Sequence, residues 1–207
     1  MVGPRGQLKI SPRAKIVDSF LSVGADAKLT VGDETAIEES KIFVSDAAVF
    51  SIGSGSKLGT AKIGVRKRGA VLSIGDRTRI GKTCHILADT SIKIGDFCLF
   101  AADILCTDSQ NHSLDWKERR QEILSWETGQ TDLLLPSWNI RSAPLTIESD
   151  CWFGRGASIL VAKAGNTDGL RIGRGCVIGA GTVVKDSLPD FSLAVGVPAN
   201  VIRRLSE

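Results

Sequence analysis

The sequence predicts an all-β fold, a single-stranded parallel β-helix, and three observations carry that prediction. Bulky apolar residues recur every six positions at Ile74, Ile80 and Ile86, at Ile94 and Phe100, at Ile147, Phe153 and Ile159, and at Ile172, Ile178 and Val184. Four places after the bulky residue stands a small one: Thr78, Cys84, Thr90, Cys98, Cys151, Ala157, Cys176 or Thr182. Glycine often follows directly, as in Ile74-Gly75 and Ile94-Gly95. A six-residue period marks a β-helix, in which no coil buries its own face and stacking supplies the core. Three six-residue strands would make a flat coil of about eighteen residues, stacked at the strand spacing. The bulky residue would fill the prism, and the small one would point inward where walls crowd. Glycine near each corner would take backbone angles that a β-carbon penalises.

From the N-terminus, residues 1 to about 20 show no clear step, and Leu8, Ile10, Ile16 and Val17 suggest irregular strands at the coil end. The repeat appears at Val23 and Leu29, runs through Val31 and Ile37, loosens over Ile42 to Val49, and recovers at Ile52, Leu58 and Ile63. Arg66 to Gly69 shifts the register, as a small corner loop would. A long interruption spans residues from about 106 to 144, with Trp116, Trp126, Trp138 and the charged run Lys117 to Glu122. Loops of this length in compact domains are functional or disordered, and the aromatics favour order. Lys117 to Trp126 reads as a short helix. A second insertion follows Ile159, between Ala162 and Arg171. Pro198 stops the last strand, and Ala199 to Leu205 reads as a short C-terminal helix within a cap at about 198–207. The whole, residues 1–207, is one domain.

Bulk properties narrow the function. The net charge of +3 is too small to suggest nucleic acid, and the basic residues are scattered apart from Arg66-Lys67-Arg68 and Arg203-Arg204. No apolar run reaches the length of a membrane span, and Met1 to Ile10 lacks the apolar core of a signal peptide. Four of the five cysteines take the small inward position, and the fifth, Cys106, lies six after Phe100. They read as reduced core residues rather than as disulfides or metal ligands, which suits a cytoplasmic protein.

Two segments resemble those of a known family. Cys151-Trp152-Phe153-Gly154 is similar to the Val-Trp-Ile-Gly stretch of the hexapeptide-repeat O-acetyltransferases, which are left-handed β-helix proteins. Ile178-Gly-Ala-Gly-Thr-Val-Val-Lys-Asp, followed by Val195-Gly-Val-Pro-Ala-Asn-Val-Ile-Arg, resembles their C-terminal signature. The resemblance implies a left-handed coil, acetyl-CoA as acyl donor, a sugar hydroxyl as acceptor, and a homotrimer with the acyl slot between neighbouring walls. The long loop is closer to enzymes that decorate bacterial surface polysaccharides than to the short-loop maltose and galactoside enzymes.

Acetyl transfer to a hydroxyl requires a base, and a neutral imidazole suits physiological pH. The chain has two histidines. His85 falls on an outward position of a coil wall. His112 lies in the long loop, in Asn111-His112-Ser113-Leu114-Asp115, and the resemblance gives it the general-base role. Asp108 and Asp115 are both candidates to orient its ring. The resemblance also places Asp89, Asp108, Asn111 and Trp152 at the acceptor site, with Trp152 near the thioester. It sets Arg155, Ala180, Lys185 and Arg203 along the coenzyme A slot; Asn200 stands where the family often has Arg or Lys. No metal is expected. Three other readings remain open from sequence: an N-acyltransferase on an amino-sugar nucleotide or antibiotic, a zinc carbonic anhydrase, and a non-enzymatic scaffold. The zinc enzyme would need three imidazoles around its metal; the scaffold would not bind coenzyme A.

Overall fold

A computed structural model of the protein describes residues 1–127, 140–161 and 169–206. Three sheets wind around one core as the walls of a prism. The first wall stacks seven strands, from Gln7–Ile10 to Leu170–Ile172. The second starts at Lys15–Val17 and holds nine, ending with Ser192–Val195 and Asn200–Arg204. The third stacks seven, from Phe20–Val23 to Val183–Val184. The chain visits first, second and third wall in turn, and all but one pairing between neighbours is parallel.

The coil is longer than the eighteen residues expected. Leu29 lies opposite Phe50 on the first wall, and Ile37 opposite Leu58 on the second, a repeat of 21 residues. The reason is strand length. Strands of the first and third walls in the early coils run to four residues and send two side chains inward, such as Leu29 with Val31 and Ile42 with Val44. Second-wall strands there send one, such as Ile37. The six-residue step therefore holds between walls, as from Val31 to Ile37 on the second and from Ile80 to Ile86 on the third, rather than around the whole coil. The early strands, expected to be irregular, are in register: Leu8 pairs with Leu29, Ile16 with Ile37 and Leu21 with Ile42.

The small position does more than fit a crowded corner. Thr35, Ser56, Thr78, Cys98, Cys151 and Cys176 form a column of buried side chains, each donating to a carbonyl of the adjacent coil. The hydroxyls of Thr35, Ser56 and Thr78 also accept from the N–H of the next member of the column. Ser, Thr and Cys interchange here because each is small and carries a donor. All five cysteines are free thiols and buried, and burial pushes the Cys106 thiol well above its ordinary range.

Glycine has a different task from the one expected. At Gly95 an added β-carbon would lie 2.6 Å from the Ser149 nitrogen, and at Gly154 2.6 Å from that of Ala180. These glycines let coils approach closely. Positive φ comes two residues later, at Phe97 (55°) and Gly156 (70°), and is shared by residues with side chains.

The long excursion leaves the third wall after Leu105–Thr107, so Cys106 still belongs to the coil. Its two ends close on each other: Ser109 bridges Ser142, and Gln110 N donates to Arg141 O at 3.0 Å. The coil then resumes in register. Phe153 stacks on Phe100 with ring centroids 4.5 Å apart, although the loop separates them in sequence. The expected short helix forms at Trp116–Glu127, capped by Asp115, whose Oδ1 accepts from Lys117 N at 2.8 Å. Trp138 and the insertion over 162–168 lie outside the described residues, as does the side chain of Trp126.

The C-terminal helix expected over Ala199 to Leu205 does not form. Asn200–Arg204 is a strand, antiparallel to Ser192–Val195, and closes the second wall. Val201 and Ile202 are β-branched, and the free edge of the wall offers a ladder of backbone partners that a helix would leave open.

Candidate active site

Thr107 ends a third-wall strand and Ser91 begins a first-wall strand one coil earlier, so the loop root sits at the third-to-first corner. Asp108 turns its carboxylate back into that corner. Oδ1 accepts from Asp89 N at 2.7 Å, and Oδ2 from Thr90 N and Ser91 N, both at 2.8 Å. Burial raises its pKa above the ordinary carboxylate value; the N–H groups pull the other way without cancelling it. Asp89 is also engaged. Its side chain is 5% exposed, 2.6 Å from Arg66 Nε and 3.4 Å from Lys67 Nζ. These two carboxylates, expected at the acceptor, hold the loop root and the corner above it. The corner needs them because its backbone donors and basic side chains are withdrawn from water.

Beyond the root the chain reverses at Asn111, whose φ of 63° falls where Asn is among the better-tolerated residues. His112 follows, and its Nδ1 lies 2.8 Å from Glu122 Oε1. The imidazole is half exposed while the Glu122 carboxylate is 5% exposed. A buried acceptor on Nδ1 favours the tautomer that carries its proton there. The orienting carboxylate is therefore Glu122, not Asp108, which is occupied, nor Asp115, which caps the helix. Sequence reading missed it because Glu122 lies ten residues from His112 within a charged run. The available signal was the helix itself, whose turns carry Glu118 and Glu122 at i and i+4, on one face. Arg119 ties that helix to the loop by donating to Ser113 O at 2.8 Å.

The remaining expected residues lie elsewhere. Trp152 is on the second wall, half exposed, between Leu99 and Val177. That wall faces away from the third-to-first corner, so Trp152 and His112 do not share a site within one chain. Arg155 and Ala180 come together at the second-to-third corner, where Gly181 N donates to Arg155 O at 2.9 Å. Arg155 also approaches Asp103 at 3.5 Å. Lys185 is exposed just after the third-wall strand Val183–Val184, and Arg203 is exposed on the terminal strand opposite Leu193. Neither is in an ion pair among the described residues. His85 is exposed on the third wall between Lys62 and Leu105.

A stack of hexapeptide coils, with a carboxylate-held histidine on a loop rooted at one corner, defines a hexapeptide-repeat protein. The sequence matches the family described as hexapeptide repeat of succinyl-transferase over residues 71–103 and 144–185. It is 32% identical over 141 residues to a probable acetyltransferase of Mycobacterium tuberculosis, Rv3034c, covering 67% of this chain and 39% of that protein. It is 27% identical over 134 residues to a putative lipopolysaccharide biosynthesis O-acetyl transferase of Escherichia coli, WbbJ, covering 65% of this chain and 61% of that one. The chain thus spans less than two thirds of either relative. In fold it is similar to the polySia specific acetyltransferase NeuO, with a TM-score of 0.75 at 24% identity over 98% of this chain and 83% of that one. The chain is thus similar in repeat and in fold to the hexapeptide-repeat acetyltransferases.

Proposed function

We propose that the protein transfers an acetyl group from acetyl-CoA to a sugar hydroxyl of a bacterial surface polysaccharide or its precursor, with His112 as general base. The observation that carries this reading is the 2.8 Å contact between His112 Nδ1 and the buried Glu122 carboxylate, with the imidazole half exposed. In the reaction, the acceptor hydroxyl gives its proton to Nε2 as its oxygen bonds to the acetyl carbon. The carbon–sulfur bond breaks, and coenzyme A leaves as the thiolate and takes the proton from the imidazolium. No acyl-enzyme forms, because the five cysteines are buried in the coil. Similarity to WbbJ supports the polysaccharide acceptor.

The same reading makes the protein a homotrimer. His112 and Trp152 lie on opposite sides of one prism, so a slot lined by both forms only between the loop corner of one copy and the second wall of the next. Lys185 and Arg203 are the cations open to the phosphates of coenzyme A, with Arg155 and Ala180 along its arm. Reduced buried thiols accord with a reaction in the cytoplasm. No described helix is long and apolar enough to cross a membrane. The test is His112→Ala: acetyl transfer to an acceptor panel should vanish while calorimetric binding of acetyl-CoA persists. Full activity in that variant would reject the base, and no acetyl-CoA binding by the wild type would reject the transferase.

A further inference from the structure

A pocket of about 240 Å³ opens in the long loop that carries His112, lined by Gln110, Ser113, Leu114, Asp115, Glu118 and Arg141. It lies between the outgoing loop, the first turn of the helix and the returning strand. One of its lining groups is chemically unfinished. Glu118 Oε2 is a buried oxygen with no hydrogen-bond partner among the described residues. A buried acceptor left without a donor costs about 1–3 kcal/mol, more for a charged one, so a ligand that donates to it recovers that loss. Arg141, on the same rim, is in no ion pair among the described residues, although its own carbonyl is engaged by Gln110 N. The pocket thus offers one acceptor and one cation.

Its position couples it to the base. Glu118 and Glu122 are one turn apart on the same helix face, a rise of about 5.4 Å. Glu122 holds His112 and Glu118 lines the pocket, so a group bound by Glu118 lies one turn from the carboxylate that orients the imidazole. The volume is below the roughly 300–1,000 Å³ of pockets for drug-sized ligands, which suits one sugar ring and leaves any longer chain outside.

We infer that this pocket is the acceptor subsite and that it selects a hydroxylated sugar ring bearing one anionic group. A ring hydroxyl donates to Glu118 Oε2, and Arg141 holds the carboxylate or phosphate. Arg suits this role because its planar fork matches such groups in two parallel hydrogen bonds. The inference deepens the acyl-transfer reading above and rests on it for the word acceptor.

The experiment uses the whole chain and three probes observed by ligand-detected NMR: methyl glucuronide, glucose 6-phosphate and methyl glucoside, with calorimetric titration of acetyl-CoA alongside. The expected result is that the wild type binds at least one anionic probe about tenfold more tightly than methyl glucoside. Arg141→Ala should erase that preference and Arg141→Lys should keep part of it. Glu118→Gln should weaken all three probes several-fold, and acetyl-CoA should bind equally to every variant. The two anionic probes separate a carboxylate from a phosphate ligand. Equal binding of neutral and anionic probes, or a preference untouched by Arg141→Ala, would overturn the inference while leaving acetyl transfer standing. Anionic preference without acetyl-CoA binding would do the reverse. Far-ultraviolet circular dichroism of each variant separates a lost ligand from a lost fold.

Discussion

Replacing Asp108 with alanine removes the acceptor of three backbone N–H groups at once. Those of Asp89, Thr90 and Ser91 are 2.7, 2.8 and 2.8 Å from its carboxylate, and the first is buried. An orphaned buried donor costs about 1–3 kcal/mol, and a partly buried one recovers some of that from water. Against this stands the relief of a carboxylate that burial disfavours, as its raised pKa records. We therefore expect a net loss of about 2–4 kcal/mol, or a fall in Tm of roughly 5–15 °C for a chain of this size. Asp108→Asn keeps one oxygen and should lose about half as much. Because the folded chain holds the Asp108 proton more tightly than the unfolded chain, this group's contribution is full below its ordinary value of 3.8 and falls as pH rises through the raised folded value. The cost of Asp108→Asn should accordingly be larger at pH 3.5 than at pH 7. Urea titrations at both pH values are the assay. Variants within about 0.5 kcal/mol of wild type would refute the corner latch.

Glu122→Gln should lower kcat by roughly 10- to 100-fold with little change in KM for acetyl-CoA, because an oriented base contributes about 10²–10⁴ and this change forfeits part of it; steady-state kinetics decides. Phe153→Ala should cost about 3–5 kcal/mol in denaturant titration, as it removes one ring of the buried stack on Phe100. Cys151→Ser should stay within about 1 kcal/mol of wild type, since a hydroxyl can make the same bond to Gly173 O, whereas a bulkier Leu would overpack the column by about 1–3 kcal/mol. A thiol reagent should titrate the five cysteines only on unfolding, because all are buried.

The six-residue step at Ile74, Ile80 and Ile86 exposed the fold because inward positions follow strand geometry, which sequence spacing records directly. The four-residue strands escaped it, since Val31 and Val44 look like further members of one repeat until their walls are known. His112 stood out as the candidate base because its loop lies outside the period and the family resemblance supplied that role. Glu122 was not, because a contact made across a helix turn has no fixed spacing from its partner. The backbone and ion-pair partners of Asp89 and Asp108 were hidden for a related reason. A carboxylate that fastens backbone and one that waits for a ligand look alike in sequence, and only burial and N–H partners separate them. Val201 and Ile202 were read through Pro198 as a helix, whereas the open edge beside them determined a strand.

The neck formed by Ser109 and Ser142 has a consequence for how such proteins diversify. Since the strands on either side keep their alignment across it, whatever hangs beyond that neck can be exchanged, lengthened or rewritten without repacking the barrel beneath. Transplanting residues 110–141 between relatives should then carry acceptor preference with it and leave the recipient's melting behaviour largely its own.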